Sequence, residues 1–188
     1  MRHVISALVV NEPGVLANVA GMFAARGFNI DSLVVGRTEN PDLSRMTIVV
    51  NADDNTLEQV RKQLAKLVPV VRVRDFCEAY VERDLLLMTV SAGPDQRAEV
   101  IEIVNLFRGQ IIDVAKSSMI VQLAGSEDKV EALVELLRPF GIKELARTGI
   151  IAMTRGTQTA REEAAEAPSG NRRKRSLDGP AGVALPPS

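Results

Sequence analysis

Aromatic side chains make up only 3% of this 188-residue chain, with no Trp and a single Tyr, and there is one His and one Cys. A core without large rings must be built from Val, Leu, Ile, Ala and Met, and a hydrophobic content of 46% is enough to fill one. With one imidazole, His3, neither a histidine-based metal cluster nor a Ser-His-Asp set can be assembled. His3 reads as a strand-edge side chain. The lone Cys77 excludes an internal disulfide and fits a reducing cytosol. Without a His to activate it, it reads as a buried, inert thiol. A net charge of −1 gives no general attraction to nucleic acid or anionic membrane. No apolar run approaches the ~20 residues of a membrane span. The start, Met1-Arg2-His3-Val4, enters a strand pattern directly, with no signal peptide. A soluble, cytoplasmic protein is expected. No phosphate-binding fingerprint is present either, because Gly14, Gly21 and Gly27 lack the spacing.

What is there is a regular alternation of strand and helix patterns. Residues 3–10 are β-rich and end at the turn signal Asn11-Glu12-Pro13-Gly14. Val15, Val19 and Phe23 then share one helical face, and Gly27 supplies the stop. Residues 28–36 and 46–52 read as strands around a polar loop. A second helix begins near Thr56, where Thr56-x-x-Gln59 matches a capping box, and carries the stripe Leu57, Val60, Leu64 and Leu67. A fourth strand covers 70–77. The order β-α-β-β-α-β is the ferredoxin-like arrangement.

The same order then repeats without residue-level identity. A strand at 84–92 leads to a helix opened by Pro94 and closed by Gly109, then strands at 110–115 and 118–124. A helix from Ser126 and a last strand over 143–153 follow. The expected fold class is therefore α+β, with two tandem βαββαβ modules at 1–78 and 79–156. Their joint is placed in the short, charged stretch Glu78–Arg83, so the modules should be closely coupled. Residues 157–188 have almost no large apolar side chain and should be disordered. Their basic cluster Arg172–Arg175 reads as part of a solvated tail, a nucleic-acid or anion patch being the alternative.

The unusual residues concentrate in the first strand-to-helix turn. Pro13 fixes φ at the helix entry, and Gly14 lets a ligand approach the backbone with no Cβ in the way. The N–H groups of Gly14, Val15 and Leu16 lack intrahelical acceptors and lie at the positive end of the helix dipole, where a carboxylate binds readily. Asn11 offers a donor and an acceptor, suiting the two ends of a zwitterion. The plain alternative is an ordinary capped turn. RNA recognition, the other habit of split βαβ sheets, needs aromatics on the strands, and HVISALVV and MTIVVNA have none.

At this turn the sequence resembles the ACT domain, a βαββαβ module that binds amino acids and regulates metabolic enzymes. The phrases GFNIDSL, TENPDLSRMTIV and ARTG extend the likeness: residues 3–156 resemble the small regulatory subunit of acetolactate synthase (acetohydroxyacid synthase). The resemblance implies a chain with no catalysis of its own that activates a separate catalytic subunit. That partner would use thiamine diphosphate, magnesium and FAD to condense pyruvate with pyruvate or 2-oxobutyrate in branched-chain amino-acid synthesis. It also implies feedback inhibition by valine, bound where two ACT domains of a homodimer meet. One chain would contribute Asn11, Gly14, Val15 and Leu16, and the facing chain Asn29 and Ile30. Asn29 stands as a polar residue at the start of the second strand, with a turn Asn after Gly27 as the plain reading. Gln59 sits where the family associates valine response, behind the site. The loop Thr38–Arg45 is a candidate contact with the catalytic subunit, or a solvated loop whose Arg45 pairs with Asp42. A stand-alone amino-acid sensor is the alternative function.

Overall fold

The computed structural model describes residues 1–76 and 80–155. The readings of Cys77 and of the stretch 157–188 fall outside the described residues.

The first module runs β1 (Arg2–Val10), α1 (Val15–Ala25), β2 (Ser32–Arg37), β3 (Leu43–Asn51), α2 (Asp54–Leu64) and β4 (Val70–Asp75). Its antiparallel sheet has the order β2-β3-β1-β4. The second repeats it with β5 (Tyr80–Ser91), α3 (Arg97–Leu106), β6 (Gln110–Val114), β7 (Ser118–Gly125), α4 (Glu127–Leu137) and β8 (Ile142–Arg147), in the sheet order β6-β7-β5-β8. A ninth strand, β9 (Ile151–Thr154), completes the chain as described. Two tandem ferredoxin-like modules are thus what the alternating periods of 2 and 3.6 produce.

Each module buries one sheet face under its helices. In the first, Ile5, Ala7 and Val9 of β1 and Met46, Ile48 and Val50 of β3 meet Val15, Val19 and Phe23 of α1 and Leu57, Val60 and Leu64 of α2. In the second, Leu86, Met88 and Val90 pack against Val100, Val104, Leu133 and Leu137. A third, smaller cluster joins the modules: Val4 and Val49, on the opposite sheet face, are covered by Ile150 and Ala152, with Phe76 and Tyr80 beside them. Burying Ile150 alone is worth about 2 kcal/mol. The close coupling expected of the modules is present.

Four local expectations are corrected. β2 begins at Ser32, not at residue 28, because Phe28 folds back onto the end of α1. Its N–H donates to Phe23 O at 3.0 Å, and its ring meets Phe23 edge-on with centroids 6.3 Å apart. α2 starts at Asp54 with Asp53 as its N-cap, whose carboxylate accepts from Thr56 N at 2.7 Å. The carboxylate out-competes the Thr56-x-x-Gln59 box one turn earlier, and Gln59 is left exposed on the helix surface. The stretch read as a charged joint is strand from Tyr80 onward, since Tyr80–Arg83 pair with β9. The last strand is broken in two by Gly149 at φ 83°, so that β8 and β9 pair with different halves of β5.

Candidate functional site

The turn between β1 and α1 is built around Gly14, which adopts a left-handed φ of 85° at the N-cap, with no side chain capping the helix. A Cβ there would meet nothing within 4 Å, so the space above the backbone is open. Val15 N reaches Glu12 O only at 3.4 Å. Among the described residues no backbone carbonyl accepts from Gly14, Leu16 or Ala17 N–H. The turn therefore presents free donors at the positive end of a helix, with Leu16 47% exposed beside them and the Glu12 carboxylate also at the surface.

Asn11 is more committed than its sequence position suggests. Its Nδ2 donates to Pro41 O at 3.0 Å, and its Oδ1 accepts from the buried Ser44 hydroxyl at 3.1 Å. Its backbone N–H donates to Asp42 O at 2.8 Å. The side chain thus clamps the β2–β3 loop to the turn, and keeps one N–H and one lone pair for anything that docks. Arg45, on β3 beyond that loop, extends Nη1 to 3.4 Å from the buried Ser6 Oγ on the sheet face opposite the helices.

Asn29 lies before β2 rather than in it, exposed, with Nδ2 donating to Asp31 Oδ1 at 2.8 Å. The turn reading is the one the fold realises. Ile30 is half-buried against its own module's core, which turns its side chain away from solvent. Asp31 N donates to Val49 O, and Val49 pairs with Val4, so this segment is level with the beginning of β1. Asn11 lies just beyond the end of β1. Seven residues of antiparallel strand separate the two levels by about 24 Å. Within one chain, then, Asn11 and Asn29 cannot share a ligand.

The exposed side of α1 carries Leu16, Ala17, Asn18, Gly21 and Ala24, and the helix has no charged residue in its 11 positions. A surface helix normally shows a polar face. Beside it, β2 is an edge strand in unbroken register with β3. The matching edge of the second module differs: β6 has a register shift between Ile111 and Asp113, and α3 exposes Glu99 and Glu102. Bulges and charges protect an edge from pairing, and β2 has neither a bulge nor a charge before Arg37.

Sequence reasoning missed the junction between the modules. Asp84 is 1% exposed, and its Oδ2 accepts from Arg147 Nε at 2.8 Å and Nη2 at 2.7 Å. Arg147 Nη1 also reaches Glu131 at 3.2 Å. Burial works against the Arg147 charge, but the hydrogen bond and charge of Asp84 outweigh it and raise the guanidinium above its ordinary value. On the other side Arg2 bridges Glu82 at 3.0 Å and Glu127 at 2.8 Å. Of these groups Asp84, Arg147 and Glu127 line a cavity of about 310 Å³ reaching from Asp31 and Ser32 to Thr148 and Gly149. The only signal was the phrase ARTG, residues 146–149. No group of three His, Cys, Asp or Glu among the described residues could hold a metal ion. Among them, too, no helix is long and apolar enough to cross a membrane.

Comparison with known proteins matches residues 5–72 to "AHAS small subunit-like ACT domain" and residues 83–156 to "Small subunit of acetolactate synthase". A probable acetolactate synthase small subunit of Archaeoglobus fulgidus is 55% identical over 84% of this chain and 99% of its own length. The chain belongs to the acetolactate synthase small-subunit family. A Bacillus subtilis member, 44% identical, is matched over 84% of this chain and 93% of that one. The crystal structure of the acetolactate synthase small subunit from Thermotoga maritima superposes with a TM-score of 0.77 at 46% identity, over 84% of this chain and 99% of that one. The small-subunit family thus takes in both modules, including the ARTG junction.

Proposed function

We propose that this chain is the regulatory subunit of acetolactate synthase, in the cytoplasm, activating a thiamine-diphosphate-dependent catalytic subunit and conferring inhibition by valine. Magnesium and FAD would belong, with the thiamine diphosphate, to that partner. The chain itself pairs as a homodimer through its ACT modules. The observation that carries this reading is the separation of Asn11 and Asn29 in one chain. Two chains related by a two-fold axis, with α1 faces and β2 edges together, bring the Asn11 turn of one to the Asn29 segment of the other. An uncharged helix and an unprotected strand edge suit such an interface.

In that dimer the valine carboxylate sits on the N–H groups of Gly14, Val15 and Leu16. The remaining donor and acceptor of Asn11, with Asn29, hold its polar ends. Because the Ile30 side chain faces its own core, the backbone at Ile30 and the exposed Leu16 are left to meet the ligand, with Gln59 behind them on α2. Valine inhibits to the extent that it favours one dimer geometry over another, and the catalytic subunit reads the difference.

Three measurements test the reading. The tagged chain should co-purify with a thiamine-dependent synthase and raise its rate; purification alone and no effect on the synthase would favour a stand-alone sensor. Titration calorimetry on the chain should show heat with valine. Gly14→Asp should abolish inhibition while leaving activation, because a second carboxylate then faces the bound one. Inhibition retained in that variant would sink the site.

A further inference from the structure

The effector segment Asn29–Asp31 continues into Ser32, which lies against Gly149 of the second module. At Gly149, between β8 and β9, a Cβ would lie 2.6 Å from Ser32 Oγ and 3.0 Å from Val34 Cγ2. Real Cβ atoms do not approach so closely, so a Cβ here would force the Ser32 hydroxyl to move and press on Val34, and the φ of 83° asks for glycine independently. Gly149 is itself held. The preceding Thr148 donates its backbone N–H to Leu85 O at 3.0 Å, and its hydroxyl accepts from Leu85 N at 3.1 Å. Arg147 is locked to the buried Asp84. On the near side, Asn29 is bonded to Asp31, whose N–H is bonded to Val49 O, and Val49 packs against Ile150. Contacts therefore run from Asn29 to the second module, and beside them Ser32 lies against Gly149, where one extra carbon would have to displace its Oγ.

We propose that Gly149 of the second module is a positioning residue for the Asn29–Ile30 half of the effector site, acting through its contact with Ser32. The proposal rests on the valine site argued above. It makes effector affinity a property of both modules, although every residue that touches the effector belongs to the first. The cavity beside the contact gives Ser32 space to shift into when the contact is loaded, carrying Asp31 and Asn29 with it.

The test uses the full-length chain, with valine affinity read by calorimetry and backbone mobility by hydrogen exchange. Gly149→Ala should weaken valine binding about tenfold and speed exchange at residues 29–33, with activation of the catalytic subunit kept within about twofold. Ser32→Ala should stay near the parent chain. The double variant should regain most of the loss, since removing Oγ relieves the 2.6 Å approach while leaving the backbone strain at Gly149. Affinity and exchange unchanged in Gly149→Ala overturn the proposal, as does a double variant no better than the single, which would assign the loss to strain alone. If Gly149→Ala does not fold, Ser32→Val loads the same contact from the other side and must reproduce both effects. If the parent chain binds no valine, the reading of the effector fails separately. The exchange data then decide the contact: unaltered rates at residues 29–33 overturn it, and faster rates reversed by Ser32→Ala support it.

Discussion

Arg147 closes on Asp84 with two nitrogens, at 2.7 and 2.8 Å, over a carboxylate that is 1% exposed. Such a pair adds little net stability relative to apolar residues of the same shape, but breaking it strands a buried charge. Arg147→Met should therefore cost about 3 kcal/mol and lower Tm by roughly 10 °C. Asp84→Leu combined with Arg147→Met should recover most of this. Thermal unfolding of the three chains checks it; a single variant as stable as the parent would mean water already reaches Asp84.

The two asparagines should behave differently. Asn11→Ala removes the acceptor of the buried Ser44 hydroxyl and the donor to Pro41 O, so it should destabilise the chain by about 1 kcal/mol as well as weaken valine binding. Asn29→Ala breaks only an exposed bond to Asp31, so stability should stay within about 0.5 kcal/mol while valine affinity falls. Denaturant unfolding alongside calorimetry separates the two. Equal losses of stability would contradict the difference in burial.

Gly21 lies on the exposed side of α1, and a Cβ there would touch nothing within 4 Å of the same chain. Gly21→Arg should leave the monomer fold intact, even adding up to about 1 kcal/mol of helix propensity. It should also put a cation into the proposed dimer interface. Sedimentation should then find monomers, with valine binding lost. A dimer of unchanged affinity would move the interface elsewhere.

Acid should weaken the first module at α2. Hydrogen bonds from the Thr56 side chain and then its backbone N–H hold the Asp53 carboxyl below its ordinary value of 3.8, and the hydrogen bond and charge of Lys62 lower Glu58 in the same helix. Lowered carboxyl values mean that the stabilisation is complete above the ordinary value and disappears as pH falls through the depressed one. Asp53→Ala should therefore lower Tm at neutral pH, and the gap to the parent should narrow as the solution is taken below 3.8. A gap independent of pH would show that the charge of Asp53 is not involved.

By itself the sequence determined the order of strands and helices, the aliphatic core, the open turn at Gly14 and the family. These depend on spacing and residue type within a turn or two: Val15, Val19 and Phe23 share a helix face whatever lies elsewhere, and Pro13-Gly14 shapes its own backbone. Only the tertiary structure decided what the candidate residues do with their side chains. Phe28 packing on Phe23 moved Asn29 out of β2, Ser44 and Pro41 engaged Asn11, and Ile30 turned into the core. It also decided that Gly149 meets Ser32 and that Asp84 needs Arg147. Each of these joins residues brought together by the sheets rather than by the local chain, and no local pattern records such a distance. The turn Asn11–Leu16 was legible because it is local. Asn29 and Ile30 lie at the opposite end of the module, and only in the proposed dimer would they join that turn.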